Sequence, residues 1–241
     1  MKYISLLFLV VLMSCKPKET TLTAQQIIDK TLSHSGASKI SNSIISFNFR
    51  DKSYRAERKN GVFKLTRMFD SIEDVVTNLG FERYIHQKKQ ELSSNNVFKY
   101  ANSVNSVHYF SVLPYGLNDK AVQKTLLPSV SVKGKEYYKV EVTFSKEGGG
   151  NDFEDVFVYW IGKDDFLVDF LAYSYHTNQG GMRFRALKKQ CVKNGVRFVD
   201  YINYKPLSKD TDLLDIDIAF EKNQLKKVSE IILKDIQVTI L

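Results

Sequence analysis

Three short stretches hold the side chains most suited to chemistry. A strand sends alternate side chains to opposite faces, so in "DVFVYWIG" Asp155, Phe157, Tyr159 and Ile161 share one face. In "AYSYHT" Tyr173 and Tyr175 oppose Ser174 and His176, and in "MRFR" Arg183 and Arg185 oppose Met182 and Phe184. Adjacent hairpin strands would gather Tyr159, Tyr175 or His176, Arg183, Arg185 and Asp200 across one sheet. Two guanidinium groups beside tyrosines suit a carboxylate, a phosphate or a sugar acid. The same arginines suit ion pairs with Asp155 or Asp200 on a solvated outer face, and that reading is the preferred one.

Catalytic and cofactor motifs are lacking. The four histidines fall in no HExxH or other ligand spacing, and no GxSxG occurs. Paired carboxylates serve glycosidases, so Asp155, His176 and Asp200 are the residues to test for a hydrolase of envelope glycans or esters. Acidic residues are common in any turn-rich chain, however, and no catalytic residue, metal or cofactor is assigned. Gly148–Gly150 lie between two strands, without the Lys-Ser/Thr or following helix of a phosphate cradle, and read as a hairpin loop. Asp152, Glu154 and Asp155 lack the EF-hand spacing. Cys191, in "LKKQCVKNG", reads as a small packing residue on a strand approaching a turn.

The elements that must place these residues follow from periodicity. Thr23 and Gln26 form a capping box for an amphipathic helix carrying Ile27, Ile28, Thr31 and Leu32, which stops at Gly36. From Ile40 the period becomes two, with a hairpin at Asn60-Gly61 and strands near 75–79 and 83–86. Val97, Tyr100, Val104 and Val107 recur at helical spacing from about Ser93 to Phe110. Beyond Ala121 strands follow one another through turns at Lys133-Gly134, "KEGGGND", "GKDD", "NQGG" and Asn194-Gly195. Two last strands are expected near 215–220 and 227–240. The expected fold is mainly β (α+β): one large curved antiparallel meander, a half-barrel, with an N-terminal helix and a central helical insertion on its concave face.

Composition agrees. Sixteen Phe and thirteen Tyr residues suit a β surface. The net charge of +8 is spread over scattered lysine pairs that look like solvated faces, so nucleic-acid binding is not expected. The apolar run Ile4–Ser14 follows Lys2 and is too short to span a bilayer, which takes ~20 residues; it has the form of a secretory signal.

Leu12-Met13-Ser14-Cys15 resembles the lipobox of bacterial lipoproteins. That resemblance implies cleavage before Cys15, a diacylglyceryl group on its sulfur, and usually an acylated amine. Two or more chains anchor a protein durably at ~0.8 kcal/mol per buried methylene. Lys16, where an inner-membrane lipoprotein of enteric bacteria carries Asp, implies the outer membrane, on its periplasmic face or at the cell surface. Residues 1–14 are then a signal peptide, 15–22 a lipidated tether, and 23–241 one β-rich domain. Through "YFSVLPYGLND", "VTFSKEGGGNDFEDVFVYWI", "AYSYHTNQGGMRFR" and "VDYINYKP" the chain resembles an uncharacterised family of Gram-negative bacterial lipoproteins. The element order is similar to the lipoprotein-carrier (LolA/LolB-like) half-barrel, whose concave apolar face holds acyl chains. These resemblances imply an anchored protein that binds a lipid or other amphiphile, with an interaction subunit of an envelope complex as the alternative and a hydrolase as the second.

The lipobox reading predicts that Cys15→Ala abolishes acylation. Metabolic labelling with a fatty-acid analogue should mark the wild type alone; equal labelling of both proteins would end the lipoprotein reading.

Overall fold

The computed structural model describes residues 21–150, 153–176 and 180–241. The first helix, α1 (Ala24–His34), opens with the expected capping box: the Thr23 side chain accepts from the Gln26 backbone, and the Gln26 side chain accepts from the Thr23 N–H. Gly36 follows at φ +69°, and a Cβ there would stand 1.8 Å from the Gly195 carbonyl oxygen. Glycine is needed on both counts. The close approach docks the end of α1 onto the Asn194-Gly195 hairpin, where the Arg197 N–H donates to Ser35 O at 2.9 Å.

Six strands then run back and forth: β1 (Ser43–Phe49), β2 (Lys52–Lys59), β3 (Val62–Phe69), β4 (Ile72–Thr77), β5 (Gly80–Ile85) and β6 (Lys88–Lys89). Helix α2 (Ser94–Ser111) crosses over to a second meander of β7 (Val122–Val132), β8 (Lys135–Phe144), β9 (Val156–Gly162), β10 (Val168–Tyr175), β11 (Gly181–Lys193) and β12 (Val196–Pro206). A short helix, α3 (Ile216–Glu221), precedes β13 (Leu225–Ile231) and β14 (Leu233–Ile240). Strand β13 pairs with β12, whereas β14 pairs with β1. The result is two seven-stranded antiparallel sheets, ordered β14-β1-β2-β3-β4-β5-β6 and β13-β12-β11-β10-β9-β8-β7. They meet at Ile232, the residue between their shared edge strands. The fold is therefore mainly β and not closed into a barrel, as a curved half-barrel requires.

Three local expectations change. The hairpin near residue 80 turns at Asn78-Leu79 rather than over 80–82, and there Asn78 Oδ1 accepts from the Phe63 N–H across the sheet. Residues 216–221 are helical rather than extended. "DIDIAF" alternates like a strand, but Ile216, Ala219 and Phe220 also fall at helical spacing, and this packing against the outer face of the second sheet prevails. The expected last strand is two strands, broken at Ile232.

Helix α2 lies on the inner face of the first sheet. Val104 is fully buried against Ala56 and Leu65. An ionic clamp adds to this contact. Asp74, with no exposed surface, accepts from Arg67 and Arg83 at 2.6 Å each; Arg67 reaches Ser103 of α2 at 2.7 Å, and Arg83 stacks on Tyr100. The second sheet is covered on both faces. Ile27 and Ile28 of α1 pack inside it with Val140, Tyr159 and Leu171, while α3 closes the outside through Ile216 and the buried Lys139–Asp217 pair at 2.9 Å. Each large apolar side chain so enclosed contributes about 1.5–3 kcal/mol.

His108, one turn beyond Val104, sits against the edges of Phe47 and Tyr54. Its Nε2 lies 3.1 Å from Thr66 O. A carbonyl can only accept, so Nε2 carries a proton. Burial holds its pKa down at about 3, against an ordinary 6.5. Below pH 6.5 the unfolded chain binds a proton that the folded chain refuses, so stability falls with pH across the window from 6.5 towards 3. About 2 kcal/mol should be lost between pH 7 and pH 5 through this residue. Urea unfolding of the wild type and His108→Phe at both pH values checks this: the pH dependence of the variant should be shallower by that amount.

Candidate functional site

Between the two sheets runs a cleft of about 660 Å³, walled by the inner face of the second sheet, by the strands at the sheet junction and by α2. The face of α2 turned to it is mixed, with Asn102, Asn105 and Ser106 beside Val107, Tyr109 and Phe110. The opposite stripe of the helix is the apolar one that grips the first sheet. The strand side is aromatic and aliphatic: Phe157, Tyr173, Val199, Tyr201, Ile231 and Leu233. Gly148, Gly149 and Gly150 of the β8–β9 loop stand at its rim.

Strand register assembles the residues that parity selected. Tyr173 pairs with Arg183 across β10 and β11, and Leu171 with Arg185; on the other side Tyr173 pairs with Phe157 and Leu171 with Tyr159. Tyr159, Tyr173, Tyr175, Arg183 and Arg185 thus share the inner face. Tyr175, Arg183 and Arg185 line the cleft. Tyr159 is fully buried behind it, close to Tyr109, and neither hydroxyl has a hydrogen-bond partner of good geometry. His176 lies just past the end of β10, exposed, its Nδ1 3.7 Å from Asp155 Oδ1. Asp200 is apart from the group. Its Oδ1 accepts from the Leu233 N–H at 2.9 Å, at the strand break.

The solvated-face reading of the arginines does not hold for Arg185, which is only 7% exposed. Its guanidinium carbon is 3.8 Å from the centroid of the Phe110 ring, and its Nη2 donates to Tyr173 Oη at 3.0 Å. Nε has no partner, and among the described residues no carboxylate pairs with the group. Arg183, half-buried, stacks on Tyr175 at 5.2 Å and donates to its neighbour's carbonyl, Met182 O. Burial pushes Tyr109 up to about 12 and Tyr201 up to about 12, the latter against the pull of Arg197 and Arg185, and raises Tyr159 well above the ordinary value. These hydroxyls are neutral donors at any physiological pH. One buried cation in an aromatic, hydroxyl-bearing wall is suited to holding an anion in place. Among the described residues no three His, Cys, Asp or Glu side chains come together as metal ligands would.

Sequence reasoning missed Tyr109, Phe110, Val199 and Tyr201. Phe157 and Tyr173 were legible through the parity they share with Tyr159 and Tyr175. The helix–strand contacts that bring Phe110 over Arg185 have no sequence signal, because they depend on where the crossover helix lands.

The family that matches residues 2–232 is described as a family of unknown function, DUF6503. No curated protein matches the chain. Among solved structures it is similar to a DUF1329 family protein from Desulfovibrio piger, with a TM-score of 0.54 and 13% identity, covering 90% of this chain and 93% of that one. That likeness shows a shared fold. A LolA superfamily protein from Nitrosomonas europaea has a TM-score of 0.48 at 13% identity, covering 92% and 96%. A domain described as an outer membrane lipoprotein-sorting protein, from Vibrio parahaemolyticus, has a TM-score of 0.48 at 7% identity, covering 90% and 93%. The expectation of a family without an assigned activity is met. Cys15 lies outside the described residues. No helix of the described residues is long and apolar enough to cross a membrane.

The Arg185–Tyr173 bond yields a stability test. Tyr173→Phe removes the acceptor and leaves a guanidinium N–H of Arg185 unpaired, which should cost about 1–3 kcal/mol. A shift of the urea midpoint corresponding to that loss, at unchanged slope, is the expected result.

Proposed function

We propose that this chain, which belongs to the DUF6503 family of unknown function, is an envelope lipoprotein, anchored to the outer membrane through Cys15, that holds an amphiphilic molecule in the cleft between its sheets. The observation that carries the reading is the cleft itself. Its volume of about 660 Å³ falls within the ~300–1,000 Å³ typical of small-molecule sites. Its walls combine aromatic and aliphatic strand residues with the amides and hydroxyls of α2 and the arginines of β11, and an amphiphile needs both kinds of surface. Phe157 stacks with Tyr159 and Tyr173, so the aromatic wall is already ordered and gives up little freedom on binding. The lipobox resemblance supports the anchor. A tethered protein receives or presents a ligand at the membrane instead of carrying it across the periplasm.

Ser106 is exposed on the cleft side of α2. Ser106→Trp should fill the cleft from the helix side, lower saturable uptake of a fluorescent fatty acid at least about tenfold, and leave the thermal midpoint unchanged. Gently extracted wild-type protein should carry a co-purifying amphiphile by mass spectrometry. A wild type that arrives empty and shows no saturable uptake would remove the ligand reading and favour an interaction subunit of an envelope complex.

A further inference from the structure

Two buried cations elsewhere in the molecule meet buried carboxylates, Arg67 with Asp74 and Lys139 with Asp217, while Arg58, away from the cleft, lies over the Tyr115 ring with its Nη1 unpartnered. Arg185 is buried to the same degree and has no such partner among the described residues. Taking a charge out of water is costly unless something neutralises it. Stacking on Phe110 and one bond to a neutral hydroxyl offset only part of that cost. The side chain lies on the wall of the cleft, with its Nε unpartnered. Tyr109, on the same wall, has only the Tyr159 hydroxyl beside its own. Tyr173 accepts from Arg185, so its own hydrogen remains available to donate.

We propose that Arg185 is the anchor for the ionised head of a single-chain carboxylate amphiphile, a fatty-acid-type anion whose hydrocarbon chain lies along Phe157, Val199 and Leu233. This rests on the reading of the cleft as an amphiphile site and adds the class of ligand. A monocarboxylate supplies the one negative charge that a single buried guanidinium lacks, in the fork geometry that Arg prefers. A phosphate dianion would bring a second buried charge with no second buried cation to meet it, since Arg183 is only half-buried and stacked on Tyr175. The hydroxyls of Tyr109 and Tyr173 add neutral donors beside the fork. Size points the same way. A methylene occupies about the space of a water molecule, ~30 Å³, so the cleft has room for roughly twenty such groups, which is one chain and its head.

The test uses the full chain in lipid nanodiscs, titrated with hexadecanoate, hexadecan-1-ol and hexadecyl phosphate, with empty nanodiscs as the baseline. Hexadecanoate should bind at least about tenfold more tightly than the alcohol or the phosphate. Arg185→Met should erase that preference and leave the alcohol's affinity in place. If Arg185→Met fails to fold by circular dichroism, Arg185→Lys takes its place, losing hexadecanoate affinity with the alcohol unaffected. Equal binding of acid and alcohol by the wild type would overturn the anchor while sparing the cleft as an amphiphile site. Preference for the phosphate would overturn the carboxylate assignment. Binding of none of the three would overturn both readings.

Discussion

The architecture depends on one interruption in a hydrogen-bonded ladder. The C-terminal segment begins as β13, paired with β12, and ends as β14, paired with β1. At Ile232 it leaves one partner for the other, and Asp200 takes up the Leu233 N–H that the change of partner would otherwise leave unsatisfied. A buried amide without an acceptor is costly, so this carboxylate is what makes the break tolerable. Because one strand serves two sheets, the sheets diverge from a common edge, and a space opens between them. Helix α2 enters that space from the first sheet, and its end reaches Phe157 of the second through Tyr109 and Phe110. A continuous ladder would have put those rings on a flat surface.

Two buried ion pairs tie helices to the sheets. Asp74 takes both Arg67 and Arg83 and so ties α2 to the first sheet. Lys139 takes Asp217 and the Leu214 carbonyl and so ties α3 to the second. Along the cleft the pattern differs. Arg185 is buried with its Nε unpaired, and the Tyr109 and Tyr159 hydroxyls have only each other. Buried polar groups left without partners are a cost that packing must offset, and along the cleft a ligand that meets them recovers it.

Much of this was legible in the sequence where the information is local. The Thr23–Gln26 capping box, the Asn194-Gly195 turn, the extent of α2 and the shared parity of Tyr159, Tyr175, Arg183 and Arg185 follow from periods and turn chemistry; that the shared face is the inner one does not. What failed depended on distant partners. "DIDIAF" satisfies both a strand and a helix pattern, and only the outer face of the second sheet, which α3 covers, decides between them. Asp200 looked like a member of the arginine cluster because it lies on the neighbouring strand. Its neighbours Val199 and Tyr201 line the cleft instead, and the break at Ile232 gives Asp200 a different task. Arg185 looked solvated because composition favours exposed arginines; its burial comes from Phe110, which lies 75 positions earlier in the chain.

The cleft as a binding site is tested most directly by a crystal structure grown with a terminally brominated hexadecanoate. The anomalous signal of the bromine should lie between the sheets, with the carboxylate within hydrogen-bond distance of Arg185 and the chain against Phe157 and Val199. Bromine found only on the outer surface, with the space between α2 and the second sheet closed by the protein's own side chains, would contradict the account.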